Sequence, residues 1–179
     1  MKTFEFRVIA SGLDPDAEDF ADRFFQAGCD DATISFQRGR IVLDFDRSAR
    51  SIGEAIASAM ESVRKAGATV ERIEPDPLVS LSDIAARTGL TRAAMTQYSK
   101  RQRGKNFPPP IARVTSDSPL WDWAIVAKWL YANNKLSREA AIEAEAVRLA
   151  NTAVTSRDSQ FRESLESSVQ AYARSLEAA

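Results

Sequence analysis

Residues 1–74 alternate between two spacings of apolar residues, one typical of strands and one typical of helices. The order of these stretches constrains the fold of this chain more than any other feature. Alternating apolar and polar residues, typical of strands, occur in four stretches. Two stretches with helical spacing lie after the first and after the third of these. The order strand, helix, strand, strand, helix, strand predicts a ferredoxin-like βαββαβ module, with two helices on one face of an antiparallel sheet.

Turn and capping residues indicate where these elements begin and end. Asp14 is expected to cap the first helix, with Pro15 at its first position. Arg38 and Gly39 form a tight hairpin signal, and Ser51 is expected to cap the second helix. Two prolines in the segment 75–77 then favour extended backbone, which predicts a short linker after the module.

Charge is unevenly distributed along the chain. The whole chain has a net charge of −1, but residues 77–131 carry 8 Lys and Arg against 3 Asp and Glu, a net of +5. Residues 1–76 carry 10 against 15, and residues 132–179 carry 6 against 7. Neutralising phosphates requires only a local basic region, so the middle of the chain is the part expected to meet an anionic partner.

The composition argues against several function classes. The chain has no histidine and one cysteine, Cys29, so it lacks the usual general base near neutral pH and any Cys–His nucleophile pair. Glycine-rich phosphate loops are also absent, and we expect no enzyme, no cofactor and no metal site. A single cysteine excludes an internal disulfide, and no apolar run approaches the length of a membrane span, which favours a cytoplasmic protein.

The functional prediction depends on residues 81–100, which have the pattern of two short helices joined by a turn. Gly89 supplies the turn, where a positive φ is tolerated, and Thr91 is expected to cap the second helix. Met95 and Tyr98 lie three residues apart on the buried side of that helix. This spacing predicts a helix-turn-helix.

The opposite face of the second helix would enter the major groove if this is the recognition helix. Arg92 and Gln97 have the chemistry that reads guanine and adenine edges, and Ala93 fits a thymine methyl group. Thr91 and Thr96 are suited to phosphate or water contacts.

Basic residues continue directly after this helix. Four cations lie within residues 100–105, and residues 111–121 predict a strand, a turn and a returning strand, which form a wing. The complete set of predicted DNA contacts is Thr91, Arg92, Ala93, Thr96, Gln97, Lys100, Arg101, Arg103, Lys105, Asn106 and Arg113.

Residues 78–131 resemble the winged helix-turn-helix of the MerR superfamily, especially its short AlpA/excisionase-like members. The shared features are the segment DIAARTGLTRAAM, a basic segment, NFPPPI, a wing and LWDWAIVAKWL. The resemblance implies that bases are read by Arg92, Thr96 and Gln97 and that the DNA backbone is held by Arg103, Lys105 and Arg113. A basic insert follows Tyr98 and the metal-binding cysteines of metal-sensing MerR proteins are absent, so metal sensing is not implied.

Residues 136–179 contain neither proline nor glycine, which favours a long helix or a helical hairpin. The apolar stripe shifts in phase near residues 155–158, and its spacing fits helices that pack in pairs, as the C-terminal helices of MerR regulators do in their dimers. The predicted dimerisation residues are Ile142, Ala146, Leu149, Phe161, Leu165, Val169, Tyr172 and Leu176. The alternative is a hairpin that folds back on the N-terminal module.

Together these features predict a sequence-specific, homodimeric binder of double-stranded DNA, a transcriptional regulator with its recognition helix at about 91–100. Its predicted parts are an accessory domain at 1–74, a linker at 75–77, a winged helix-turn-helix at 78–131 and a helical dimerisation region at 132–179. Three alternatives stay open: an excisionase-like architectural protein, an antitoxin-type regulator that binds a protein partner through its flanking domains, and a pure protein-interaction module. The accessory domain either makes dimer or protein contacts or binds a small ligand.

Overall fold

A computed structural model describes residues 1–156 and 161–177, without the side chains of residues 156 and 161–163. The protein is mixed α+β and divides into two compact units. The sheet unit contains Met1–Pro75 together with Ala146–Arg174, and the second unit contains Asp76–Glu145 together with the residues from Ser175. The boundary after Pro75 falls in the predicted linker, and the C-terminal residues contribute to both units.

The sheet unit contains the predicted order of elements. These are β1 (Lys2–Ser11), α1 (Phe20–Gln26), β2 (Ala32–Gln37), β3 (Arg40–Ala49), α2 (Ile52–Lys65) and β4 (Thr69–Glu74). The strands form one antiparallel sheet in the order β2-β3-β1-β4. Its buried face carries Phe6, Val8 and Phe45, against which Ile56 and Met60 of α2 are fully buried.

Local signals place most of these boundaries correctly. Ser51 Oγ accepts a hydrogen bond from Glu54 N–H at 3.1 Å, as expected for the cap of α2. Arg38 and Gly39 have φ values of 51° and 77°, which suit the two-residue turn between β2 and β3.

The start of α1 differs from the prediction. The Asp14 carboxylate accepts from Asp16 N–H at 3.0 Å, and its carbonyl accepts from Ala17 N–H at 3.3 Å. A second turn follows, and the helix begins only at Phe20. Asp14 therefore stabilises a local turn, a conformation that competes with helix initiation by the same residue type.

Arg47 of β3 is a buried charge whose hydrogen bonds connect several parts of the sheet unit. Its guanidinium donates to both carboxylate oxygens of Asp31, at 2.8 and 2.7 Å, and to the Gly28 carbonyl at 2.6 Å. A weaker bond reaches Ser58 Oγ in α2 at 3.3 Å, and the guanidinium lies 4.7 Å from the centre of the Phe45 ring. These contacts join the turn before β2 to β3 and α2.

The C-terminal helices α6 (Arg138–Ser156) and α7 (Phe161–Glu177) pack within the chain. In the sheet unit, the amide of Asn151 bonds both backbone groups of Ile73 in β4, accepting from N–H at 3.0 Å and donating to C=O at 2.8 Å. Helix α7 lies close to α2, since a Cβ at Gly53 would be 3.6 Å from Glu166 Cα and 3.7 Å from Val169 Cγ2.

Half of the residues predicted to meet a second copy are buried within the single chain. These are Ala146, Leu165, Val169 and Leu176. Ile142, Leu149 and Tyr172 are half-buried, and the side chain of Phe161 lies outside the described residues. Packing within the chain therefore accounts for much of the apolar stripe, as the alternative of a folded-back hairpin expects. Homodimerisation itself stays a prediction.

The second unit is built around three helices and a short strand pair. Its elements before α6 are β5 (Leu78–Val79), α3 (Leu81–Thr88), α4 (Arg92–Ser99), β6 (Trp121–Asp122) and α5 (Trp123–Ala132). The two strands pair antiparallel, and the core includes Ile84, Met95 and Leu130, all fully buried. None of the helices in the described part of the chain combines the length and the apolar composition needed to cross a membrane.

Candidate functional site

Three local signals define helices α3 and α4 and the turn between them, and two of these signals were predicted. Gly89 ends α3 with a φ of 69°, and Thr91 Oγ1 caps α4 by accepting from Ala94 N–H at 3.1 Å. The third was missed: Ser80 and Asp83 form a reciprocal capping box at the start of α3. Hydrogen bonds from Ser80 hold the pKa of Asp83 below its ordinary value. The Ser-x-x-Asp spacing at 80–83 is the signal that could have found this cap.

Helix α4 presents one buried face and one exposed face. Met95 and Tyr98 are buried in the core, as predicted. The predicted contact residues on the other side are exposed, namely Thr91, Arg92, Ala93, Gln97 and Lys100. Thr96 is half-buried, and its hydroxyl donates to the Arg92 carbonyl at 3.0 Å, so this side chain is engaged with its own helix.

The basic segment after α4 is a compact loop anchored to the core. We call residues 100–106, all of them exposed, the basic loop. The Gln97 carbonyl accepts from the N–H groups of Gln102 and Arg103 at 2.9 and 3.3 Å, and Trp129 Nε1 donates to the Lys105 carbonyl at 2.9 Å. The loop backbone is therefore held by α4 at one end and by α5 at the other.

An aromatic cluster packs against this loop on the side that faces the core of the second unit. Phe107 contacts Tyr98, Trp121 and Trp129, and Tyr98 also contacts Trp129, with ring centres 5.0 to 6.4 Å apart. The Arg103 guanidinium lies 5.5 Å from the centre of the Tyr98 ring, a cation–π arrangement. These rings pack in and against the core of the second unit, and Tyr98 and Trp129 contact the loop at Arg103 and Lys105.

Gly104 is expected to be required for the close approach of the loop to this cluster. Its φ is 71°, and a Cβ there would be 3.0 Å from Tyr98 Cδ1 and 3.1 Å from Trp129 Cζ2. We expect Gly104→Ala to lower the free energy of unfolding by about 2 kcal/mol, combining the cost of a positive φ with that of a steric clash. Urea unfolding followed by tryptophan fluorescence measures this, because all three tryptophans lie in the second unit.

Gly89→Ala is the matched control for this substitution. Gly89 has nearly the same φ, 69°, but apart from its chain neighbours no residue has an atom within 4 Å of the Cβ position. The control should cost only about 1 kcal/mol, the penalty for the left-handed conformation. Equal losses for the two variants would show that Gly104 is not required for close packing.

The predicted wing is much shorter than the sequence indicates. Residues 111–121 contain a single antiparallel bridge, between Ala112 and Leu120. The expected first strand is cut off at Arg113, which has a φ of 51° and whose carbonyl accepts from Ser116 N–H at 2.9 Å. Trp121 pairs with Val79 of β5 instead of continuing the hairpin. Arg113 is nevertheless exposed, at the tip of this turn.

The cations of this surface differ in their partners from five arginines of the sheet unit. Among residues 1–156 and 161–177, no carboxylate forms an ion pair with Arg92, Lys100, Arg101, Arg103, Lys105 or Arg113. In the sheet unit, by contrast, a carboxylate lies within 4.0 Å of Arg7, Arg23, Arg40, Arg47 and Arg50. The α4 surface thus keeps its positive charge available for an anionic ligand.

The described residues bring together no group of three or more acidic or cysteine side chains that could hold a metal ion. Burial raises the pKa of the Cys29 thiol to about 11, so this group is protonated at neutral pH and a poor nucleophile. The exposed surface on α4 and the basic loop presents guanidinium, ammonium and carboxamide groups to solvent.

Comparison of the chain with protein-family models, with curated protein sequences and with solved structures found no match in any of the three.

Proposed function

We propose that this chain is a sequence-specific double-stranded DNA-binding protein that regulates transcription, with α4 as its recognition helix. The observation that carries the proposal is that the exposed face of α4 continues directly into the basic loop. Base-reading side chains, Arg92 and Gln97, are exposed on α4, and the basic loop that follows directly has no carboxylate partners in the described residues. This arrangement joins groups that read base edges to groups that neutralise phosphates.

The proposal includes a fold assignment for each unit. For the second unit we propose a winged helix-turn-helix, supported by the capped helices α3 and α4, the turn at Gly89 and the short hairpin closed by the bridge from Ala112 to Leu120. The resemblance to MerR and AlpA/excisionase-like proteins is part of this assignment. For the sheet unit we propose a ferredoxin-like module, supported by the strand order β2-β3-β1-β4.

Energetic considerations favour a homodimer as the DNA-binding species. One good bidentate contact to a base contributes only about 1–3 kcal/mol of discrimination, and α4 offers two side chains of this kind. Two copies on an inverted repeat would double the base contacts and the phosphate contacts.

Arg92→Ala is expected to weaken binding to the preferred duplex by about tenfold to a hundredfold and to relax preference at one base position. The physical reason is the loss of a bidentate guanidinium contact to guanine O6 and N7. The measurement is a competition assay in which every base pair of the site is varied in turn, for the natural chain and for the variant.

Arg113→Ala provides the matched control, because it removes an exposed arginine from the hairpin turn of the same unit. Removing a phosphate-binding guanidinium at this position should weaken binding to every duplex by a similar factor and leave the base preference unchanged. If Arg92→Ala behaved in the same way as Arg113→Ala, α4 would not be reading base edges.

The direct test of the proposed function is fluorescence anisotropy with DNA from upstream of the gene, beside a scrambled duplex, at several salt concentrations. Tight binding to the upstream duplex with a steep salt slope and a clear margin over the control supports an operator-reading regulator. Equal affinity for both duplexes would favour an architectural protein, which bend-angle measurements would then examine. No affinity at low salt would refute DNA binding.

A further inference from the structure

The two edges of the four-stranded sheet are protected very differently. Strand β4 forms one edge and contains three charged residues among its six. The Asn151 amide bonds both the N–H and the C=O of Ile73 there. A side-chain amide supplies the donor and acceptor that a neighbouring strand would supply, so this edge is already occupied at its centre. Natural sheets usually protect their edges by such charges and covers.

Strand β2 forms the other edge and lacks these features. Its sequence, Ala-Thr-Ile-Ser-Phe-Gln, contains no charged residue and no proline. Within the described residues its only strand neighbour is β3, and the Phe36 side chain is 47% exposed. A strand edge of this composition is prone to pair with another strand.

The register shows which backbone groups of β2 point outward. Asp46 N–H donates to the Asp31 carbonyl, and the ladder continues from there with Ala32 opposite Phe45. In an antiparallel ladder only alternate residues exchange hydrogen bonds with the partner strand. The backbone N–H and C=O groups of Ile34 and Phe36 therefore point away from β3.

Charged residues at the two ends of β2 favour a second copy of the same strand as the partner. Asp30 precedes β2, whereas Arg38 follows it in the turn to β3, and both side chains are exposed. Antiparallel pairing brings the start of one strand beside the end of the other. Asp30 of each copy would then lie near Arg38 of the other copy, at two points related by the two-fold axis.

We propose that β2 is a self-pairing edge at which a second copy of this chain binds in antiparallel orientation. Ile34 of each copy exchanges both backbone hydrogen bonds with Phe36 of the other, and Ser35 lies on the two-fold axis. The half-exposed Phe36 rings become covered, and the two sheets join into one continuous sheet. This interface does not require the C-terminal helices, whose apolar residues are largely buried within the chain.

Charge reversal at the ends of the strand tests the proposal on the full chain. Sedimentation velocity over a range of concentrations should show a dimer for the natural protein. Asp30→Arg places like charges together at both symmetric points and should weaken the dimer about tenfold, as should Arg38→Asp. The double variant restores the opposite charges and should return the dimer dissociation constant to within about threefold of the natural value.

Asp16→Arg is the matched control, since Asp16 is also exposed and the change in charge is the same. It lies in the loop after β1, in which Gly12 lies close to Thr69 of β4, at the other end of the strand order. A monomer at every concentration would overturn the proposal, as would equal effects of Asp30→Arg and Asp16→Arg, or a double variant as weak as the single ones.

Ile34→Pro provides a second, independent test. The Ile34 N–H points away from β3, so proline removes an intermolecular donor without removing a bond of the β2–β3 ladder. The dimer should weaken at least a hundredfold while the circular dichroism spectrum stays unchanged. A dimer that survives this substitution would place the interface elsewhere. If the proline variant fails to fold, the charge reversals at exposed Asp30 and Arg38 still decide the question.

Discussion

We expect a variant with glutamine at all four cationic positions of the basic loop, Lys100, Arg101, Arg103 and Lys105, to bind the duplex about a thousandfold more weakly at roughly 0.1 M salt. At this salt concentration, counterion release makes each phosphate contact worth close to tenfold in affinity. Glutamine keeps much of each aliphatic stem, so packing of residue 103 against Tyr98 is largely retained. The slope of log affinity against log salt should also fall by about 0.9 for each phosphate that is no longer neutralised. Anisotropy titrations at several salt concentrations measure both quantities.

Arg64→Gln with Lys65→Gln is the control for this charge-removal variant. Both residues are exposed cations at the end of α2 in the sheet unit, outside the surface proposed to contact DNA. Their loss should change the affinity for the duplex by less than about threefold, because the phosphates near the α4 surface would still be neutralised and would release the same number of counterions. A large effect of the control, or an unchanged salt slope after removal of the four loop cations, would contradict a DNA-contacting basic loop.

Arg47→Ala is expected to have the largest effect on stability, lowering the free energy of unfolding of the sheet unit by about 3 kcal/mol. Removing one partner of a buried ion pair usually costs about 3–5 kcal/mol, because the remaining group keeps its desolvation penalty. The lower end applies here because the Asp31 side chain is 31% exposed and water can partly replace the guanidinium. Urea unfolding followed by far-ultraviolet circular dichroism reports this loss.

Arg23→Ala tests whether burial is the reason for the effect of Arg47→Ala. Arg23 pairs with Asp19 at 2.7 Å, the same distance as the Arg47–Asp31 pair, but both of its side chains are about half-exposed. An exposed pair of this kind contributes roughly 0–1 kcal/mol, so the substitution should change stability little. Similar losses in the free energy of unfolding for the two variants would mean that burial of the Arg47 network does not explain the effect of Arg47→Ala.

Features that depend on a few consecutive residues could be predicted from the sequence. The caps at Ser51 and Thr91, the turn at Gly89 and the hairpin at Arg38–Gly39 all form where their local sequence indicates. Each requires only a side-chain oxygen within three residues of a free N–H, or a residue that tolerates a positive φ. The exposed face of α4 follows from the same local reasoning, because helical spacing separates it from Met95 and Tyr98.

Features that depend on the choice between distant partners could not be predicted. Trp121 follows a turn and looks like the return strand of a wing, yet it pairs with Val79, which lies far earlier in the chain. The apolar stripe of α7 has the same spacing whether it covers a second copy or its own chain, so periodicity alone could not decide where Leu165 and Val169 pack. At Asp14 two local outcomes compete, a turn and a helix cap, and the sequence pattern does not rank them.

The position of Asn151 has a consequence for how many copies can join through the sheet. A sheet with two unprotected edges can add neighbours at both ends without limit and grow into a filament, whereas a sheet with one unprotected edge is complete after a single addition. The amide of Asn151 occupies Ile73, 78 positions away in the chain, so growth beyond β4 is blocked at its centre. If β2 self-pairs as proposed, this side chain of a C-terminal helix would prevent a further addition at β4 and limit the assembly to two copies.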